Sequence, residues 1–221
     1  MAEVNEKAGQ AIVLGDVERM IYHPLDRIEK DLNEILGEHF AVTFTEDYEV
    51  MHKERIRSSN VFVSYTDRWD GPVTDEQAEG LIQFVEEGGG LVVLHTGVSL
   101  SAHDKLLELI GARFTGHPPY QMLDFDSIVT GESGKRHPIV QELEPFRSED
   151  EPYRYAFAEG VEKQIILQYT LDGESYPAAW VRHVGKGRMV SLMPGHNSNS
   201  LQHPQVRKLI LRSCLWAAGR I

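Results

Sequence analysis

Gly88-Gly89-Gly90-Leu91-Val92-Val93-Leu94-His95-Thr96-Gly97 is the stretch whose reading decides the fold. The glycine cluster ends a helix, four aliphatic residues follow, and a histidine stands where the run stops. Four residues are too few for a helix and read as a strand buried on both faces, as in a parallel sheet. Open α/β sheets bind ligands beyond the carboxyl ends of their strands, so His95 stands where such folds do chemistry. The glycines precede the strand, which makes them a helix stop and not a phosphate loop. No Gly-x-Ser-x-Gly or Gly-x-Cys-x-Gly is present, and the turn reads Val93-Leu94-His95-Thr96-Gly97. A histidine there can move protons but is a poor acyl carrier.

Upstream of this stretch, strand and helix signals alternate. After a polar tail over residues 1–10, expected to fray, Ala11–Asp16 reads as a buried strand. Pro24 opens a helix whose apolar positions Leu25, Ile28, Leu32, Ile35 and Leu36 recur at helical spacing, and Gly37 stops it. Phe40–Phe44 and Val61–Tyr65 are further strands, separated by a charged crossover helix from about Glu49 to Arg57. Thr74 and Gln77 form a capping-box pair that launches an amphipathic helix through Ala78, Leu81, Ile82 and Val85. Downstream, Ser101–Gly111 reads as a short helix, and Gln121–Val129 and Ile165–Leu171 as strands. Pro177–His183 and Arg188–Met193 make a hairpin about Gly185-Lys186-Gly187, and a last helix runs from Pro204 to about Ala217. The alternation predicts one α/β domain over residues 1–221, with a mostly parallel central sheet, helices on both faces and an antiparallel addition in the second half.

Composition narrows the function. A chain of 221 residues with 41% hydrophobic and 25% charged residues has the make-up of a soluble globular protein. Its net charge of −12, with no basic stripe, excludes a phosphate-tracking nucleic-acid binder. The single cysteine, Cys214, cannot form an internal disulfide and lies in an apolar helix, where it reads as a small core residue. The amino-terminal segment has no apolar signal-peptide core, and no apolar run approaches the roughly 20 residues that span a bilayer. A cytoplasmic protein that binds neither nucleic acid nor membrane is expected.

Polar clusters gather at strand ends: Asp16; Tyr65 with Trp69-Asp70-Gly71; His95-Thr96; Gly116-His117-Pro118-Pro119-Tyr120; and Gly195-His196-Asn197. Another, Glu149-Asp150-Glu151-Pro152-Tyr153-Arg154, reads as a loop entering a strand. Histidine gains and loses protons near neutral pH, and three of these clusters carry one. Trp69, in a polar loop, suits stacking on a sugar ring, whereas Trp180, on a strand, suits core packing. Ten histidines also raise a metal site, but no His-Glu-x-x-His and no Cys-x-x-Cys nominates local ligands. Such a site would have to be assembled through the fold, from His95, His196 and a carboxylate.

Taken in order, these segments resemble the ThuA-like family, named for trehalose utilisation. The resemblance rests on Trp69-Asp70-Gly71, Phe84–His95, Phe114-Thr115-Gly116-His117-Pro118, His137-Pro138-Ile139, Asp150-Glu151-Pro152-Tyr153, and Trp180 with Gly185–Arg188. Met193-Pro194-Gly195-His196, His203-Pro204 and Trp216-Ala217 complete it. It implies a flavodoxin-like three-layer sandwich related to class I glutamine amidotransferases, with His95 in place of their cysteine and therefore no glutaminase activity. It also implies a part in disaccharide or keto-sugar catabolism, on trehalose or 3-keto glycosides. Carried onto this chain, His95, His117, Glu151 and His196 become site residues.

Proton removal beside a sugar carbonyl needs a base, an acid and donors to the enediolate. His95, Glu151 and His196 are assigned as catalytic, and Asp16, Tyr65, Trp69, His117 and Tyr153 as substrate-binding. His95 is expected to face a crevice shared with His117, Glu151 and His196. The partner is a small-molecule sugar, a homo-oligomer stays open, and no cofactor is required. Two alternatives remain: a non-catalytic carbohydrate-binding or regulatory domain, and a metal-assisted hydrolase with zinc or another divalent ion on His95 and His196.

Overall fold

The first half of the chain builds the parallel half of one sheet. The computed structural model describes residues 9–18, 20–71, 73–130 and 134–221. Within them the order is β1 (Gln10–Gly15), α1 (Glu29–Leu36), β2 (Ala41–Thr45), α2 (Lys53–Ile56), β3 (Val61–Tyr65), α3 (Asp75–Glu86) and β4 (Gly90–Leu94). The strands lie in the order β2-β1-β3-β4, all parallel. β3 and β4 are buried at every residue, as an aliphatic run between helices requires, while the edge strand β2 is half exposed. Residues 1–8 of the expected tail lie outside the described residues, and Gln10 already pairs with Ala41.

The helices follow their local signals, with two departures. Leu25–Arg27 forms a 3-10 turn behind Pro24, and the α-helix starts only at Glu29. The segment expected as one crossover helix splits into a 3-10 turn at Tyr48–Met51, capped by the Asp47 carboxylate, and the single turn α2. Tyr48, Val50, Met51 and Ile56 are all buried, a spacing that no single helical stripe can satisfy. α3 begins at the expected capping box: Gln77 N–H donates to Thr74 Oγ1 at 3.2 Å and Thr74 N–H to Gln77 Oε1 at 3.0 Å. It crosses the 3-10 turn so closely that a Cβ at Gly80 would sit 2.3 Å from the Met51 carbonyl oxygen.

The second half contributes α4 (Asp104–Ile110), β5 (Ala112–Gly116), β6 (Gln121–Ser127), β7 (Val129–Thr130), β8 (Lys135–Arg136), β9 (Phe146–Asp150), β10 (Arg154–Phe157), β11 (Gln164–Leu171), β12 (Glu174–Val184), β13 (Gly187–Leu192), α5 (Ser198–Gln202) and α6 (Pro204–Ala217). The sheet continues β4-β13-β12-β11-β6-β9, with β13 parallel to β4 and every later pair antiparallel. The expectation of a mostly parallel sheet is therefore corrected: the fold is α/β, but its nine-stranded sheet is mixed, with as many antiparallel as parallel neighbours. The reason is local. Gly185 turns β12 straight into β13, which inserts beside β4, and antiparallel strands then extend the sheet outward.

β5 and β10 form a separate antiparallel pair, and the outer strand β9 alternates buried and exposed residues. β5 and β9 were not visible in the sequence, because polar and charged residues break up their apolar positions, whereas β10 is the strand that the segment Glu149–Arg154 was expected to enter. The segment read as a loop, Glu149–Arg154, is in fact the end of β9, a three-residue corner and the start of β10. α6 packs on β3, β4 and β13, α1 and α5 pack on α6, and α3 and α4 pack on each other and on β13. Trp180 is fully buried and donates its indole N–H to Ile110 O at 2.8 Å, and Cys214 is buried on α6. No helix among the described residues is long and apolar enough to cross a membrane.

Candidate functional site

β4 delivers His95 to the carboxyl end of the sheet, and the backbone turns there at φ +47°. That left-handed conformation is costly for a side chain bearing a Cβ, and it persists only where the surroundings hold it. The 3-10 helix His95–Ala102 that follows is pressed against β3, where a Cβ at Gly97 would lie 2.0 Å from Ser64 O. The His95 ring is 1% exposed, with Nδ1 2.6 Å from Met193 O. A carbonyl can only accept, so Nδ1 carries the proton. Nε2 then faces Glu151 Oε2 at 3.3 Å and His196 Nδ1 at 3.4 Å.

Glu151 and His196 reach this point through Asp150, which is fully buried at the end of β9. The Asp150 carboxylate accepts from Glu151 N–H at 2.9 Å, Gly195 N–H at 2.9 Å and the Ser200 hydroxyl at 2.5 Å. It thereby ties the corner carrying Glu151 to the turn carrying His196. Tyr65, buried at the end of β3, donates to His196 O at 2.7 Å. His196 Nδ1 lies 3.2 Å from Glu151 Oε2.

The loop after β1 adds a residue the sequence reading missed. His23 is 8% exposed, with Nε2 3.0 Å from His196 Nδ1 and 3.5 Å from Glu151 Oε2. Its Nδ1 donates to Asp67 Oδ2 at 3.0 Å, and the other Asp67 oxygen accepts from Thr96 Oγ1 at 2.7 Å and Trp69 Nε1 at 2.6 Å. Asp16, at the end of β1, accepts from the Tyr48 hydroxyl, Asp67 N–H and Arg68 Nε. His23 stands well beyond the end of β1 at Gly15, so the signal that singled out His95, a histidine where the apolar run stops, does not reach it.

The residues named from the sequence thus separate into three groups. His95, Glu151 and His196 are in mutual contact, with His95 as the closed floor. His117 stands exposed at the rim, its Nε2 3.8 Å from Glu151 Oε1 and its Nδ1 2.8 Å from Pro118 O. Asp16, Tyr65 and Tyr153 are buried walls and struts. The Tyr153 ring lies 4.2 Å from that of His95, and Phe114 bridges Tyr153 and Trp69 at 4.4 and 5.0 Å. Trp69 therefore packs on Phe114 with its N–H occupied, whereas a free stacking platform was expected. At the mouth, the Tyr120 ring lies 5.2 Å from that of His196, and Asn199 contacts both Tyr120 and Glu149.

The site concentrates charge in a nearly dry space. Burial alone would raise the Glu151 carboxyl, but hydrogen bonds from His196, His23 and His95 hold it well below the usual carboxylate range. Burial works against charge on His23, yet Asp67 and Glu151 outweigh it and push the ring up to about 9. His95 goes the other way: complete burial lowers it despite Glu151 and Asp150. In chemical terms, four groups able to bind a proton or a cation converge beside one exposed imidazole. His23, His95, Glu151 and His196 also have the donor types to hold a metal ion, each offering one ligating atom within 4.8 Å of the others.

The fold and these residues agree with what comparison finds. The family model described as ThuA, trehalose utilisation, matches residues 17–217, and the chain belongs to that family. Among solved structures it is similar to a ThuA-like protein from Parabacteroides merdae, with TM-score 0.79 and 18% identity over 97% of this chain and 92% of that one. A ThuA-like protein from Bacteroides uniformis gives TM-score 0.76 and 17% identity, covering 98% of this chain and 94% of that one. A cold-adapted β-galactosidase from Rahnella sp. R3 gives 0.63 and 13%, with 92% of this chain covered but only 30% of the enzyme. No curated protein matches. The family connects the chain to sugar metabolism.

Proposed function

We propose that this chain is an enzyme that transfers a proton at a sugar carbon beside a carbonyl, acting on a disaccharide or keto-sugar at the strand-end cluster. One observation carries the reading. His117 is exposed at the rim, its Nδ1 proton is committed to Pro118 O, and its Nε2 lone pair faces the group formed by Glu151, His23, His95 and His196. His117 Nε2 takes the proton from the α-carbon, and the enediolate oxygen is stabilised by the buried cluster. The proton then returns from His117 to the neighbouring carbon or to the departing oxygen. His95, at the floor, is positioned to hold Glu151 and not to touch substrate.

The trehalose-utilisation family and the likeness to one part of a β-galactosidase support a sugar as the substrate class. On the same reading the architecture is the flavodoxin-like sandwich of glutamine amidotransferases, with His95 at the nucleophile turn and no glutaminase activity. The test is exchange of the proton α to the carbonyl in deuterated water, followed by NMR on 3-keto derivatives of trehalose and other glucosides. Wild-type protein should catalyse exchange, and His117→Asn should lose about two to four orders of magnitude. Undiminished exchange by His117→Asn refutes the assignment. Sugar binding with no exchange in the wild type makes the chain a carbohydrate-binding domain.

A further inference from the structure

We propose that His23 Nε2, His95 Nε2, His196 Nδ1 and Glu151 Oε2 together hold one divalent transition-metal ion of the zinc class. The inference deepens the functional reading above and rests on it only for where the chemistry occurs. Its first support is spacing. Five of the distances among these atoms are 3.0, 3.2, 3.3, 3.4 and 3.5 Å. Ligands 2.0–2.1 Å from a tetrahedral zinc ion stand about 3.3 Å apart, and adjacent ligands of an octahedral ion stand about 3.0 Å apart.

The second support is the donor set. Met193 O and the Asp67 carboxylate are acceptors, so the Nδ1 atoms of His95 and His23 donate away from the cluster and their Nε2 atoms face it. A proton on His23 Nε2 competes with the ion and is released when the ion binds. Glu151 Oε2 and His196 Nδ1 complete the set, and a cation at the centre serves all four atoms at once.

The third support is what stands behind the ligands. Metal-bound histidines commonly donate their other ring nitrogen to a carboxylate or carbonyl, which fixes the tautomer and orientation. His23 does so to Asp67, and His95 to Met193 O. Three imidazoles with one carboxylate suit zinc, cobalt, nickel, manganese or ferrous iron, and not the all-oxygen preference of calcium or magnesium. The ligands come from the loop after β1, the end of β4, the corner after β9 and the turn after β13. Only the complete sheet brings them together. Bound there, the ion acts as a Lewis acid on a sugar oxygen or on water.

The experiment uses the full chain, stripped with a chelator, dialysed and titrated calorimetrically with Zn²⁺, with Co²⁺ absorption as a second readout of ligand geometry. One ion per chain is expected for the wild type and for His117→Ala. Asp67→Ala should bind roughly 10–100-fold more weakly, the usual scale for losing a partner behind a ligand. His23→Ala and the larger His23→Gln should weaken binding further, with circular dichroism confirming that each variant is folded. The proposal is overturned if no stoichiometric ion binds among zinc, manganese, cobalt and nickel, or if both folded His23 variants bind as tightly as the wild type. Full sugar turnover by ion-free protein also overturns it while sparing the sugar reading. An ion held at one per chain with no sugar chemistry overturns the sugar reading alone.

Discussion

Asp150→Ala should be among the most damaging single substitutions outside the apolar core, although this carboxylate faces neither solvent nor the mouth of the site. Asp150 is fully buried and satisfies three donors: Glu151 N–H, Gly195 N–H and the Ser200 hydroxyl. Alanine leaves all three unpaired in a dry environment, at about 1–3 kcal/mol for each buried group left unsatisfied. Some relaxation around Ser200, whose hydroxyl can rotate, brings the expected total to about 4–6 kcal/mol, a large part of the ~5–15 kcal/mol that holds a domain together. Asparagine keeps one acceptor oxygen but turns an amide N–H₂ toward a donor, so Asp150→Asn should lose about 2–3 kcal/mol. For a chain of this size the asparagine variant should melt roughly 4–12 °C lower than the wild type, at about 2–4 °C per kcal/mol. Urea unfolding followed by tryptophan fluorescence measures both variants, with the slope checked for constancy. An alanine variant within about 1 kcal/mol of the wild type would refute the assignment of Asp150 as the tie between the two halves of the site.

Three further outcomes follow from single positions. Gly195 has φ +138°, and a Cβ there would lie 2.7 Å from Leu94 Cδ1, so Gly195→Ala should lose at least about 2 kcal/mol and displace His196, read by thermal unfolding and by histidine NMR shifts. Burial pushes the Cys214 thiol up to about 12, so a thiol reagent should leave native protein unmodified and react only on unfolding; rapid native labelling would show the helix packing is misread. His137 is lowered from 6.5 to about 4 by burial and by the nearby charges of His183 and Arg188. The unfolded chain therefore binds more protons in that window, and His137 contributes a loss of stability as pH falls from 6.5 to 4. His137→Asn keeps an acceptor for Ile139 N–H while removing the titration, so its melting temperature should fall less steeply over that range; parallel slopes would contradict the assignment.

Much of the fold was legible because the signals that specify it are local. The aliphatic run Leu91–Leu94, the Thr74–Gln77 capping box, the turn at Gly185 and the helix from Pro204 each depend on neighbours a few residues away, and each stands where the sequence places it. His95 was legible for the same reason, since a short buried strand leaves little freedom in where its last residue emerges. The strands β5 and β9 were not, because short strands broken by polar and charged residues depend on cross-strand partners that only the folded chain supplies.

By itself, the sequence determined that β4 ends at a histidine, that a cysteine nucleophile is absent from that turn, and that the chain resembles the family to which it belongs. Tertiary structure alone decided that β13 inserts beside β4 and that the antiparallel strands make up half of the sheet's pairings. It also brought His23, Asp67 and Asp150 to the residues already named: His23 meets His196 across 173 positions of sequence. Contacts of that range are set by strand order and by where buried polar groups find partners, and neither quantity is written in any local window of residues.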